Sequence, residues 1–253
     1  MTALALRLFD PLFSLGRFAL LMGRAFRSTG DLGRYSRNIV DQMVHIGLES
    51  IPIVALAALF SGAVTTMQTA HQLVSPFIPV SIIGAVVVPS VILELGAVVT
   101  GFLLAGRVGA RIAAELGTMR VTEQIDALEA MGLNSVGYLI VPRVIAGVVM
   151  FPVLYVTACV VAIGGGIFVG HFTGEVPAGE FIAGAREFFK PFDAFFGLIK
   201  SLVFGFLITA ISCYKGYYTM GGAEGVGRAT TEAAVTSCVY LLLADLLLAA
   251  TLL

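Results

Sequence analysis

The sequence predicts an all-α, polytopic integral membrane protein. Of its 253 residues 58% are hydrophobic and only 12% charged, and the mean hydropathy is +0.98, whereas soluble domains carry about 25% charged residues. Apolar runs of about 20 residues cross a hydrocarbon core of about 30 Å as helices. In lipid every backbone polar group must be satisfied internally, which leaves helices or closed barrels. The alternating segments of a barrel are absent, so helices remain.

Residues 4–27 place Arg7, Asp10, Ser14, Arg17, Arg24 and Arg27 on one helical face and Leu8, Leu12, Leu15 and several Phe residues on the rest. That is the pattern of an amphipathic helix lying in the membrane interface. Arg7, Asp10 and Arg17 interrupt its apolar stretch, so it lacks a signal-peptide layout and is expected to be retained. Residues 1–46 form this N-terminal interfacial region, and 47–253 form a five-helix transmembrane domain.

From Ser50 to Leu93 there is no Asp, Glu, Lys or Arg, but Pro76 and Pro79 interrupt the run, and helix interiors tolerate proline poorly. Two spans, about 47–71 and 80–105, joined by a short turn, are expected. A third, about 144–171, fills the uncharged run between Arg143 and His171, where Gly164, Gly165, Gly166 and Gly170 allow another helix to approach closely. Residues 172–193 mix charges with Phe188, Phe189 and Phe192, which predicts a short non-cytoplasmic helix at about 175–191. The fourth and fifth spans fall at about 195–214 and 233–252. Between them Gly221 to Arg228 reads as a flexible turn, with Thr230 or Thr231 capping the last helix.

Five spans put residues 1–46, 106–142 and 215–232 on one face. Those segments and the adjoining Arg143 hold twelve of the fifteen Lys and Arg residues, which predicts a cytoplasmic N-terminus and a C-terminus on the far side. The basic residues are therefore a topology signal, and no nucleic-acid footprint is read from them.

Glu94 lies 13 residues before Arg107, about 20 Å along a helix, which places a lone carboxylate near the bilayer midplane. Such a group is costly unless it faces a bundle interior, a cavity or a partner, so a functional role competes with protonated interhelical glue. Pro89, upstream, is positioned to kink the span and open a cavity. Over 107–131, Val108, Ile112, Leu116, Met119, Ile125 and Leu128 form an apolar stripe, with Arg111, Glu115, Glu123, Asp126 and Glu129 elsewhere. This helix either presents its charges to a partner protein or is an ordinary solvated loop helix. Lys200 and Asp245 fall at similar depth near the non-cytoplasmic surface and are expected to form a structural ion pair, the alternative being a snorkelling Lys200.

Cys159, Cys213 and Cys238 form no CxxC pair, and His45, His71 and His171 lie far apart, so no metal site is expected. No GxxxxGK[ST] occurs, so the chain is not its own P-loop ATPase. An intramembrane enzyme finds no paired carboxylates or nucleophile–base set in the sequence. A proton-coupled secondary transporter using Glu94 stays open, although no clear inverted repeat supports it.

Ala105 to Gly109, Ala114 to Met119, Thr122 to Gln124, Ala127 to Met131, Pro142-Arg143 and Gly225 to Thr231 together resemble the MlaE/YrbE permease family, membrane subunits of MCE-type phospholipid ABC transporters. Asn134-Ser135 departs from the Asp-Pro of many relatives, and Leu93 from the basic residue that some carry. The resemblance implies a homodimer with a central phospholipid cavity, and a lipid pathway at Glu94, Leu93 and Val98. It implies a cytoplasmic coupling helix between spans two and three, with Arg107, Arg111, Glu115, Arg120, Glu123, Asp126 and Glu129 engaging a separate ATPase that binds the ATP. It further implies a hexameric MCE-domain protein at the periplasmic face, a small cytoplasmic regulatory subunit, residence in a bacterial inner membrane, and no enzymatic activity or cofactor in this chain beyond bound phospholipid.

Overall fold

Every regular element among the described residues is helical. The computed structural model describes residues 2–28, 32–73 and 79–252; positions 74–78 of the expected inter-span turn, and the side chains of Arg7 and Asp10, lie outside the described residues. The elements are α1 (Thr2–Arg27), α2 (Leu32–Ile46), a 3-10 turn (Leu48–Ser50), α3 (Ile51–Gln72), α4 (Ile82–Ser90), a π-helical turn (Val91–Leu95), α5 (Gly96–Leu104), a second π turn (Ala105–Gly109), α6 (Ala110–Val121), α7 (Gln124–Ala130), α8 (Ser135–Phe172), α9 (Ala178–Glu187), α10 (Pro191–Tyr217) and α11 (Gly222–Leu252). Among the described residues five helical runs are long and apolar enough to cross a membrane: Tyr35–Gln72, Ile82–Val121, Ser135–Phe172, Pro191–Tyr217 and Gly222–Leu252.

Four boundaries differ from those expected. Residues 1–46 hold two helices, because α2 follows α1. The run expected as span 80–105 plus a separate helix at 107–131 is helical without interruption from Ile82 to Val121, since the first charged side chains mark the end of the apolar surface and do not break a backbone ladder. The break comes at Thr122 and Glu123, where Glu123 adopts φ 59°, a left-handed conformation rarely taken by residues other than glycine. The third span begins at Ser135, well before 144. The last helix begins at Gly222: only Gly221 (φ 96°) and Gly222 (φ 66°) serve the turn, while Thr230 Oγ1 bonds back to the Gly227 carbonyl at 2.6 Å from within the helix.

The chain divides into two compact units. The first comprises Met1–Met43, Ala105–Gly147 and Phe206–Ser237, the second Val44–Leu104, Val148–Gly205 and Cys238–Leu253. In the first unit, Leu21, Met22 and Ala25 of α1 are buried; Met22, Ala25 and Phe26 lie against Val141, Val144, Ile145 and Phe206, and Phe18 meets Tyr214 edge-on at 5.8 Å. The amphipathic helix thus seats its last turns on α8 and α10 while Phe13, Leu15 and Leu20 remain exposed.

In the second unit small residues set the helix spacing. A Cβ at Gly62 of α3 would stand 1.9 Å from the Ala162 carbonyl oxygen of α8, and one at Gly165 would stand 2.6 Å from that of Leu59. Of the three consecutive glycines, Gly165 and Gly166 face α3 and Gly164 faces open space. Helix α9 crosses α4 as closely: a Cβ at Gly184 would fall 1.8 Å from the Ser81 oxygen. Gly184→Leu should therefore lower the thermal unfolding temperature by an amount equivalent to about 1–3 kcal/mol of overpacking, while Gly164→Ala leaves it unchanged. Light-scattering or fluorescence melts of the two variants in detergent check this.

Candidate functional site

Pro89 contributes no backbone N–H, and directly after it the helix widens into the π turn Val91–Leu95, closed by the Gly96 N–H to the Val91 oxygen. Widening turns carbonyls outward, and side chains from other helices meet them. The Tyr155 hydroxyl donates to the Ile92 oxygen at 2.8 Å. Lys200 Nζ donates to the Leu93 oxygen at 3.0 Å and to Glu94 Oε2 at 2.6 Å. Asp245 Oδ1 lies 2.5 Å from the same nitrogen, an ion-pair contact off the axis of a hydrogen bond. The ammonium also stands 5.3 Å from the centre of the Phe196 ring, one turn back on α10.

Glu94 is therefore not the lone carboxylate the sequence suggests. Lys200 is fully buried, Asp245 is 16% exposed and Glu94 51% exposed, so the lysine is enclosed and Glu94 keeps an open edge. All three sit at one level. Counted along the axis from their helix ends, Asp245, Lys200 and Glu94 lie about 10, 14 and 18 Å in. One cation serves two carboxylates, so with all three ionised the cluster carries one uncompensated negative charge. Leu93 contributes its carbonyl, and Val98, a turn beyond Glu94, packs with Phe102, Phe204, Leu241 and Leu242 in an apolar wall that reaches Asp245.

The charges between 107 and 131, in the first unit, are largely engaged internally. Arg143, 8% exposed, donates to Glu115 Oε2 at 3.1 Å and to the Leu139 oxygen at 2.7 Å, and Arg111 pairs with Glu115 at 2.9 Å. Arg120 pairs with Asp126 at 2.7 Å across the break at Glu123. Glu129 accepts from the Ser135 hydroxyl at 2.7 Å and the Tyr217 hydroxyl at 2.9 Å. Among the described residues Arg107 and Glu123 are exposed and make no ion pair, so they are the charges most open to a partner. Val108, Ile112, Leu116 and Ile125 are buried, and Met119 and Leu128 partly so, as the apolar stripe requires. Sequence reasoning missed Arg143 as the anchor of α6, although its place at the start of an uncharged run signalled a cation that needed a partner.

Long apolar spans with a charged cluster inside them and an amphipathic helical extension define the class as a multi-pass helical membrane protein. A family model described as Permease MlaE matches residues 39–251. The chain is 42% identical over 235 residues to a probable ABC transporter permease protein of Rickettsia bellii, covering 93% of this chain and 90% of that one. It is 40% identical over 212 residues to one of Synechocystis, covering 84% and 80%. Protein TRIGALACTOSYLDIACYLGLYCEROL 1, chloroplastic, of Arabidopsis thaliana is 36% identical over 212 residues, covering 84% of this chain and 60% of that protein. The chain belongs to the MlaE permease family and is a multi-pass ABC transporter permease subunit; the class implies an ATPase partner.

Two outcomes follow from the geometry. Lys200→Met leaves Asp245 buried without its cation and should cost about 3–5 kcal/mol, while combining it with Glu94→Gln and Asp245→Asn should recover most of that loss, read as unfolding temperature in detergent. The hydrogen bonds from Ser135 and then Tyr217 hold the Glu129 carboxyl below its ordinary value of 4.5. A depressed folded value contributes stability above the ordinary value and loses it as pH falls through the lower one. Glu129→Gln should therefore be less stable than the natural chain at neutral pH, and melts run at successively lower pH should show the gap narrowing as pH falls below 4.5.

Proposed function

We propose that this chain is the transmembrane subunit of a transporter that moves phospholipid between the bacterial inner membrane and an MCE-type periplasmic protein, driven by a separate cytoplasmic ATPase. The observation that carries the reading is the Glu94–Lys200–Asp245 cluster, set among apolar spans beside the apolar wall at Val98 and Phe102. A polar locus against an apolar wall suits an amphipathic cargo. One relative's name contains a diacylglycerol galactolipid, a lipid with the same two-part chemistry.

In this reading two copies enclose the lipid cavity, with N-termini in the cytoplasm and C-termini in the periplasm. A hexameric MCE-domain protein covers the periplasmic face, and a small regulatory subunit sits with the ATPase. ATP is bound by that partner. ATPase closure moves α6 and α7, and the unbroken helical run from Val121 back to Ile82 carries the displacement to the π turn. A π turn is a point where helical register can change at low cost, so Leu93 and Glu94 shift against Lys200. Lipid moves because the two arrangements bind it unequally.

The uncompensated carboxylate favours a second reading, proton-coupled transport through Glu94. Proteoliposomes holding the chain with its ATPase and MCE partner distinguish the two, with fluorescent phospholipid transfer as the readout. Transfer should require ATP hydrolysis; transfer that persists without the ATPase and follows a pH gradient overturns the proposal. Glu94→Ala should reduce transfer about tenfold, the kinetic equivalent of one charge-assisted hydrogen bond, with ATPase copurification unchanged. Glu123→Lys should weaken copurification or uncouple hydrolysis from transfer without lowering the melting temperature.

A further inference from the structure

A groove in the second unit lies apart from the charged cluster. Its floor is Val88 of α4 and Phe181 of α9, both buried, and its walls include Ile163 and Ile167 of α8 and the half-exposed Phe189. The open space is about 280 Å³, room for part of one acyl chain and not for a whole lipid. Of its eight lining residues Arg186 alone is charged, and among the described residues no carboxylate pairs with it. Helix α9 turns Phe181, Ile182, Ala185 and Arg186 to the groove, at spacings of three and four, Phe189 joins them from just past its end, and Glu180 and Glu187 do not line it.

The groove spans two chemical depths. Ile167 and Ile163 lie five and nine residues before the end of α8 at Phe172, about 8 and 14 Å along the helix axis, within the hydrocarbon. Arg186 sits on the short helix that joins the ends of two spans, at the level of headgroups. An apolar slot leading up to an exposed, unpaired guanidinium matches a phospholipid end to end. The planar fork of Arg takes phosphate oxygens in pairs, and the slot takes methylenes.

We propose that the α4–α8–α9 groove is a binding site for an anionic phospholipid of the surrounding bilayer, with its phosphate on Arg186 and one acyl chain against Val88, Ile163 and Phe181. Its lining shares no residue with the Glu94–Lys200–Asp245 cluster, and the site stands whether or not the chain moves lipid across the membrane.

The chain contains no tryptophan, so Phe189→Trp creates a single fluorophore at the groove. The full chain carrying it would be reconstituted in phosphatidylcholine vesicles doped with either brominated phosphatidylglycerol or brominated phosphatidylcholine. Brominated phosphatidylglycerol should quench at about three- to tenfold lower mole fraction, the range of one partly exposed charge-assisted contact. Added Arg186→Gln should bring the ratio to about one, and Arg186→Lys should keep part of it. The preference of the Arg186 protein should also fall with salt, which serves as the test should Arg186→Gln fail to reconstitute. Equal quenching by the two lipids, quenching by neither, or a preference untouched by both Arg186→Gln and salt overturns the site.

Discussion

Lys200 is the constraint on which the second unit depends. A fully buried ammonium inside a membrane span is tolerated only with partners on several sides, and this one draws them from three helical runs: the Leu93 carbonyl and Glu94 from the widened turn, Asp245 from α11, and the Phe196 ring from its own helix. Van der Waals packing in lipid sets no register by itself, since lipid tails are as apolar as the helices. A single nitrogen with fixed partners does set one. The pairs Gly62 with Ala162 and Gly184 with Ser81 then bring α3, α4, α8 and α9 to the distances that the register allows.

The widened turn makes the arrangement possible. An α-helical ladder would occupy the carbonyls of Ile92 and Leu93 within the helix; a π turn after Pro89 offers them to Tyr155 and Lys200. Glu94 is thus held by the same distortion that exposes its neighbour's carbonyl, and it keeps an open edge beside an apolar wall. In the first unit a comparable economy operates through ion pairs and hydrogen bonds. Arg143 fixes α6 through Glu115, Arg120 and Asp126 bridge the break at Glu123, and Ser135 and Tyr217 hold Glu129. What is left for a partner at that extension is a small set of charges, with Arg107 and Glu123 foremost.

Much of this fold was legible in the sequence. Runs such as 144–171 are too long and too apolar to be anything but spans, and Gly164 to Gly166 announced a close crossing that occurs at Gly165 and Gly166. Helix continuity was less legible. Arg107 and Arg111 end an apolar surface, and reading them as the end of a helix confused solvent with backbone. Gly221 to Arg228 misled in the opposite direction, because only two of its glycines need positive φ. The partner of Glu94 was the least legible feature. It lies 106 residues away, and no local periodicity relates a residue to one on another helix. The sequence reading sets Lys200 with Asp245 and leaves Glu94 alone; the structure gathers all three around one nitrogen.

The central claim is that this nitrogen contacts both carboxylates within the bilayer. Solid-state NMR of the chain in lipid bilayers, with lysine Nζ labelled with 15N and side-chain carboxylates with 13C, reads those distances directly. Dipolar dephasing of Lys200 should report two carboxylate carbons at contact distance, reduced to one by Glu94→Gln and again to one by Asp245→Asn. A Lys200 signal that dephases against neither carboxylate, or that is unchanged by both substitutions, would contradict the account.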